Sequence, residues 1–175
     1  LNFSLFSQGL SLFGGAKSSK TRDKQVPTEI SSDTMDIKTD ENIAIFTGNV
    51  LVKDQEMKIK CHKMSLYLED NKDTQNPEKT TQKKKIKKIV FEGDVDIHRE
   101  LEENGKKKIQ LARAGLVEYD LKEQKITMTD KPYLEQDGKD KVENAKTIHL
   151  WRDTERVVIE GGTIKLSPDT MKTEE

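Results

Sequence analysis

One spacing recurs four times along this chain and limits what it can fold into. A small residue is followed by apolar residues three and five places later: Ser32, Met35 and Ile37; Cys61, Met64 and Leu66; Ala114, Val117 and Tyr119; Ala145, Ile148 and Leu150. Each set leads through a polar connection into a stretch with apolar residues at every second position. The best preserved is Ala44, Phe46, Gly48, Val50 and Val52, and Phe91, Gly93, Val95 and Ile97 match it position for position. A period of two is that of a half-buried strand, and the glycines mark bends or bulges within it. The third copy has Met128, Asp130, Pro132 and Leu134. Here Asp130 replaces the glycine, and Pro132, which cannot donate to a ladder, predicts an interrupted or edge strand. The fourth runs through Gly161-Gly162, Ile164 and Leu166, and its paired glycines predict a bulge.

Polar clusters at residues 40–42, 53–56, 120–124, 136–138 and 152–155 read as turns. Residues 70–85 hold Asn71, Asn76, Pro77 and a lysine run, and read as a solvated loop. Residues 99–107 read as a second charged loop around Asn104-Gly105, a strong hairpin turn signal. The pattern divides the chain into a leader and linker at 1–27, one β domain at 28–166 and a polar tail at 167–175. The first sixteen residues carry no charge and hold Leu1, Phe3, Leu5, Phe6, Leu10, Leu12 and Phe13. They read either as a secretory remnant or membrane-proximal leader, or as an ordinary N-terminus.

Four units that cannot each bury their own apolar face must stack. The expected result is an all-β, largely antiparallel fold with one narrow apolar interior. The composition agrees: only 32% of residues are apolar and 36% are charged, yet the net charge is −1. A sequence pI near 6.4 gives no electrostatic case for nucleic acid. The single cysteine excludes an intrachain disulfide, and no apolar run approaches the roughly 18 residues of a helical membrane span. The inward set would be Met35, Ile37, Phe46, Val50, Val52, Met64, Leu66, Phe91, Val95, Ile97, Val117, Tyr119, Met128, Leu134, Ile148, Leu150, Ile164 and Leu166. These residues form either a filled core or a partly open trough for an elongated apolar ligand. Periodicity is the same for both.

Chemistry of other kinds is not written in the sequence. His62, His98 and His149 share no metal-ligand spacing. Gly9 to Gly14 misses the nucleophile elbow by one residue, and no phosphate loop, dinucleotide fingerprint or calcium loop is present. Cys61 is in phase with Ser32, Ala114 and Ala145, and so reads as a small packed residue, with His62 on the opposite face. No catalytic residue, cofactor or metal is expected.

The repeat unit resembles the OstA-like repeat of the LptA family of lipopolysaccharide-transport proteins. The likeness rests on Ile30-Ser31-Ser32-Asp33-Thr34-Met35, Phe46-Thr47-Gly48-Asn49-Val50, Phe91-Glu92-Gly93-Asp94-Val95 and Ala114-Gly115-Leu116-Val117-Glu118-Tyr119-Asp120. It implies a twisted, open β-jellyroll in the periplasm, with lipid A acyl chains lying against the inward set. It also implies head-to-tail pairing with its own copies or with other jellyroll domains of the transport system, through terminal strands that hold Ile30, Ile37, Val157 and Leu166. Within the same class the resemblance admits an LptC-like component or one like the LptD N-terminal domain. From another class, a structural β-solenoid that assembles without lipid fits the same repeats.

Overall fold

Alternation becomes strands, and the strands join into one sheet. The computed structural model describes residues 27–70 and 84–171. Its strands are β1 (Glu29–Ser31), β2 (Thr34–Lys38), β3 (Ile43–Lys53), β4 (Met57–Asp70), β5 (Lys84–Glu103), β6 (Lys106–Asp120), β7 (Lys125–Thr129), β8 (Tyr133–Gln136), β9 (Asp140–Trp151) and β10 (Arg156–Lys165). They form a ten-stranded sheet in the order β1-β3-β4-β5-β6-β7-β9-β10, with β2 on β3 and β8 between β6 and β9. Every described pairing is antiparallel.

Apart from a break between Tyr67 and Leu68 near the end of β4, the register breaks along one line across the sheet. It jumps between Thr47 and Val50, between Lys60 and Lys63, between Glu92 and Val95, and between Glu160 and Gly161. On the same line β6 changes partner, pairing with β8 up to Arg113 and with β7 from Leu116. Each break is a bulge, and bulges bend strands. The line therefore creases the sheet into two walls of eight strands. One wall holds β1, β8 and one half of each long strand; the other holds β2, β7 and the remaining halves.

The creased sheet packs on itself. The inner face of both walls is buried, with Ile59, Leu134 and Val142 on one and Met64, Phe91, Val117 and Ile148 on the other all at 0% exposure. Among the described residues no second sheet lies over it, and the only helix has four residues. The walls must therefore cover each other. The fold is a twisted β-jellyroll built of repeated antiparallel strand pairs.

The third unit is broken where proline and aspartate predicted it. Strand β7 ends at Thr129 and β8 begins at Tyr133. Asp130 (φ 60°) and Lys131 (φ 55°) keep the left-handed backbone that Gly48 (φ 81°) with Asn49 (φ 45°), and Gly93 (φ 81°) with Asp94 (φ 43°), adopt in the first two units. The bulge at Gly161 is also present.

Two expectations need correction. Residues 99–107 are not a loop: β5 runs to Glu103 and β6 starts at Lys106, leaving only Asn104-Gly105 to turn. Both have positive φ (54° and 74°), the geometry whose twist matches that of paired strands. A hairpin that outruns the core keeps its ladder while its side chains become charged, so composition mimics a loop there. The tail is also not featureless. Residues Pro168–Met171 form the short helix α1, tied back to β9 by Asp140, whose Oδ1 accepts from the Ser167 N–H at 2.9 Å. Thr170 Oγ1 donates to the same carboxylate at 2.8 Å. The leader, the linker up to residue 26 and the lysine-rich stretch 71–83 lie outside the described residues.

Candidate functional site

Directly paired residues on antiparallel strands lie on the same face of a sheet. Following the register strand by strand therefore traces what each wall presents to the interior. On the second wall one row runs Met35, Phe46, Met64, Phe91, Val117, Met128, Ile148, Ile159. Beside it, farther from the crease, runs Ile37, Ala44, Leu66, Ile89, Tyr119, Ile126, Leu150, Val157. On the first wall the matching row is Ile30, Val52, Ile59, Ile97, Ala112, Leu134, Val142, Ile164. Each row is apolar from one end of the sheet to the other. Val50 and Val95 sit at the crease opposite the small residues Cys61 and Ala114.

The middle of every row is sealed and the ends are not. Fourteen of the inward candidates, from Phe46 to Leu150, are buried. Met35, Ile37, Ile164 and Leu166 are not: they are 53%, 67%, 48% and 40% exposed. These four belong to the set assigned inward from the sequence, but none of them is covered. By register Met35, Ile37 and Ile164 face inward, opposite the buried Phe46, Ala44 and Val142. They belong to the two terminal strands, so each has a neighbour on one side only. Leu166 falls one residue past the end of β10. The edge residues Ile30, Ile37 and Val157 do lie on terminal strands.

Several interior residues were missed by sequence reasoning. Ala44, Ile59, Ile89, Ile126 and Val142 complete the rows. The signal was present for Ala44, Ile89 and Ile126, which keep the period of two with Phe46, Phe91 and Met128; Ile59 and Val142 have no such neighbour in the assigned set. The next row outward on the first wall is polar apart from Met57 at its start: Met57, Arg99, Gln110, Gln136, Asp140. Arg99, Gln110 and Asp140 are nonetheless buried, at 6%, 0% and 6% exposure. Arg99 Nη2 lies 3.4 Å from Glu56 Oε2. Burial holds the Arg99 guanidinium below its ordinary pKa; Glu56 and Asp54 oppose that, and the charge of Arg152 adds to it. Arg152, buried on the other wall, donates through Nη1 to the Tyr119 hydroxyl and lies 5.6 Å from the Tyr119 ring centre. The interior is thus apolar along its length and polar along its lip.

The histidines are dispersed on separate strands, each near its own carboxylate: His62 and Asp94 at 3.5 Å, His98 and Glu100 at 3.7 Å, His149 and Glu160 at 3.8 Å. Among the described residues no three His, Cys, Asp or Glu side chains converge as a metal set. The Cys61 thiol is buried, which pushes its pKa up to about 11, and its Sγ donates to the Lys63 carbonyl at 3.3 Å. A thiol so placed stays protonated near neutrality and is a poor nucleophile.

Comparison with known proteins adds three findings. Residues 29–156 match the family described as LptA/(LptD N-terminal domain) LPS transport protein. The crystal structure of LptH from Pseudomonas aeruginosa, described as the LptA homologous periplasmic component of the conserved lipopolysaccharide transport device, superposes with a TM-score of 0.63 at 13% identity. The match covers 83% of this chain and 99% of that one, and at such identity it speaks for the fold. No curated protein sequence matches.

Proposed function

The chain belongs to the family of LptA and LptD N-terminal domain lipopolysaccharide-transport proteins, and from that premise we propose that it is a periplasmic link in a lipid path. It holds the acyl chains of lipopolysaccharide between its two walls and passes them along the rows from one end of the sheet to the other. One observation carries this reading: three unbroken apolar rows, each exposed at one end, two of them at Met35 and Ile37 on one edge and the third at Ile164 on the other, while their opposite ends at Ile159, Val157 and Ile30 are half-buried. A core that served only to hold the fold together would be closed there by polar residues. An apolar row that stays apolar where it meets water is suited to continue onto a neighbour.

Acyl chains avoid water in the interior while the sugar stays at the polar lip. The terminal strands present main-chain donors and acceptors to a neighbouring sheet edge, and main-chain pairing of that kind gives head-to-tail contacts. The neighbour is either a second copy or another jellyroll domain of the same system. The family description names both LptA and the LptD N-terminal domain, and both placements are compatible with this reading.

The test is site-specific photo-crosslinking while the transport machinery is running. Groups placed at Ile37, Phe46, Phe91 and Ile164 are expected to trap lipopolysaccharide, and a group at the outward-facing Lys53 is expected to trap none. Adducts at Lys53 alone would remove the interior path and leave a β-solenoid that assembles without lipid.

A further inference from the structure

The polar lip contains one group that the apolar rows do not explain. Gln110 is fully buried, and its register neighbours are Arg99 on one side and Gln136 on the other. Neither Oε1 nor Nε2 of Gln110 has a hydrogen-bond partner among the described residues. Gln136 Oε1 is in the same condition. The other charged side chains of the lip each have a partner, Arg99 in Glu56, Arg152 in Tyr119 and Asp140 in Ser167 and Thr170, although Arg152 Nε is itself unmet among the described residues. A buried carboxamide without partners does not serve stability, because a leucine of similar size would fill the space without an unmet donor and acceptor. Its place is instructive: it lies one row outward from Ile97, Ala112 and Leu134, where the apolar interior ends.

We propose that Gln110, with Gln136 beside it, is the docking point for the linkage group of a bound amphiphile, and that this linkage is a secondary amide joining an acyl chain to its head group. The proposal rests on the acyl-carrying reading above. The amide carbonyl accepts from Gln110 Nε2, and the amide N–H donates to Oε1 of Gln110 or Gln136. The chain then lies along Ile97, Ala112 and Leu134, and the head group stands outside the lip. The group left to read a ligand here is the Gln110 carboxamide, since Arg99 already faces Glu56 and Arg152 already donates to the Tyr119 hydroxyl. A neutral group with a donor and an acceptor side by side answers both atoms of Gln110; an ester answers only its donor, and an ether answers it weakly.

The experiment uses three probes with the same dodecyl-length tail and the same glucose head, joined by an amide, an ester or an ether, each titrated against the full chain below its micelle concentration. The wild type is expected to bind the amide probe about tenfold more tightly than the ether, with the ester between them. Gln110→Leu is expected to keep the ether affinity, to lower the amide affinity to that level, and to melt no lower than the wild type. Gln110→Met serves if the leucine variant fails to fold. Equal affinities for the three probes in the wild type, or an amide preference that survives in the variants, overturns this proposal alone. If no probe binds the wild type, the acyl-carrying reading falls and takes this one with it.

Discussion

At the scale of single residues, the crease is built from pairs in which one member is glycine. A Cβ on Gly48 would run into the Asp33 side chain, with Asp33 Cβ only 3.0 Å away. A Cβ on Gly93 would meet His62 at 2.7 Å from Nδ1 and 2.9 Å from Cβ. In the third unit the roles are exchanged: Asp130 stands at the bulge, and Gly115 opposite it has no room for a Cβ beside the Asp130 side chain. The crowded position thus accepts one side chain, from either strand. Gly93→Ala is expected to lose stability by about 1–3 kcal/mol, from the positive φ and the collision together. His62→Gly in the same chain, which copies the third unit, should recover the collision part. Chemical denaturation of the two single variants and the double variant measures this; simple additivity would refute the pairing.

At the scale of elements, alternation reports which face a side chain takes, and that much was legible. The four strand pairs, the break at Asp130 to Pro132 and the bulge at Gly161 all followed from residue spacing. What covers a face is a property of neighbours, and the pattern is silent on it. Met35 and Ile164 alternate as faithfully as Phe46 and Val142, yet they are exposed because no strand lies beyond them. The buried lip was hidden for a related reason. Arg99 and Gln110 keep the inward phase of Ile97 and Ala112, but Arg99 read as the start of a loop and Gln110, being polar, was not assigned inward. The C-terminal turn was hidden because its partner, Asp140, lies 27 residues away from Ser167 in sequence. Asp140→Ala removes an acceptor shared by two donors, the Ser167 N–H and the Thr170 hydroxyl, and is expected to cost about 1–3 kcal/mol. It should also release residues 167–171, which limited proteolysis followed by mass measurement would detect as earlier C-terminal trimming; unchanged trimming would mean that the turn holds without this carboxylate.

At the scale of the whole molecule, the two exposed ends are different surfaces, so an association that joins them is heterologous and leaves a free end on each copy until a ring closes. Ile37→Lys spoils one end and Ile164→Lys the other. Each variant alone is expected to sediment as a monomer under conditions where the wild type forms longer species. A mixture of the two should form dimers and nothing larger, through the one intact pair of ends. Larger species in the mixture would place the contact elsewhere. The eight-strand walls also fix a length. Seven gaps at about 4.8 Å put the two end strands roughly 34 Å apart, about the thickness of one bilayer's hydrocarbon core. The measure does not depend on strand length, on the hairpin beyond the core or on loop insertions; only the number of strand pairs changes it. On the proposed reading, a route longer than that comes in whole multiples of this unit, and its reach is set by counting copies.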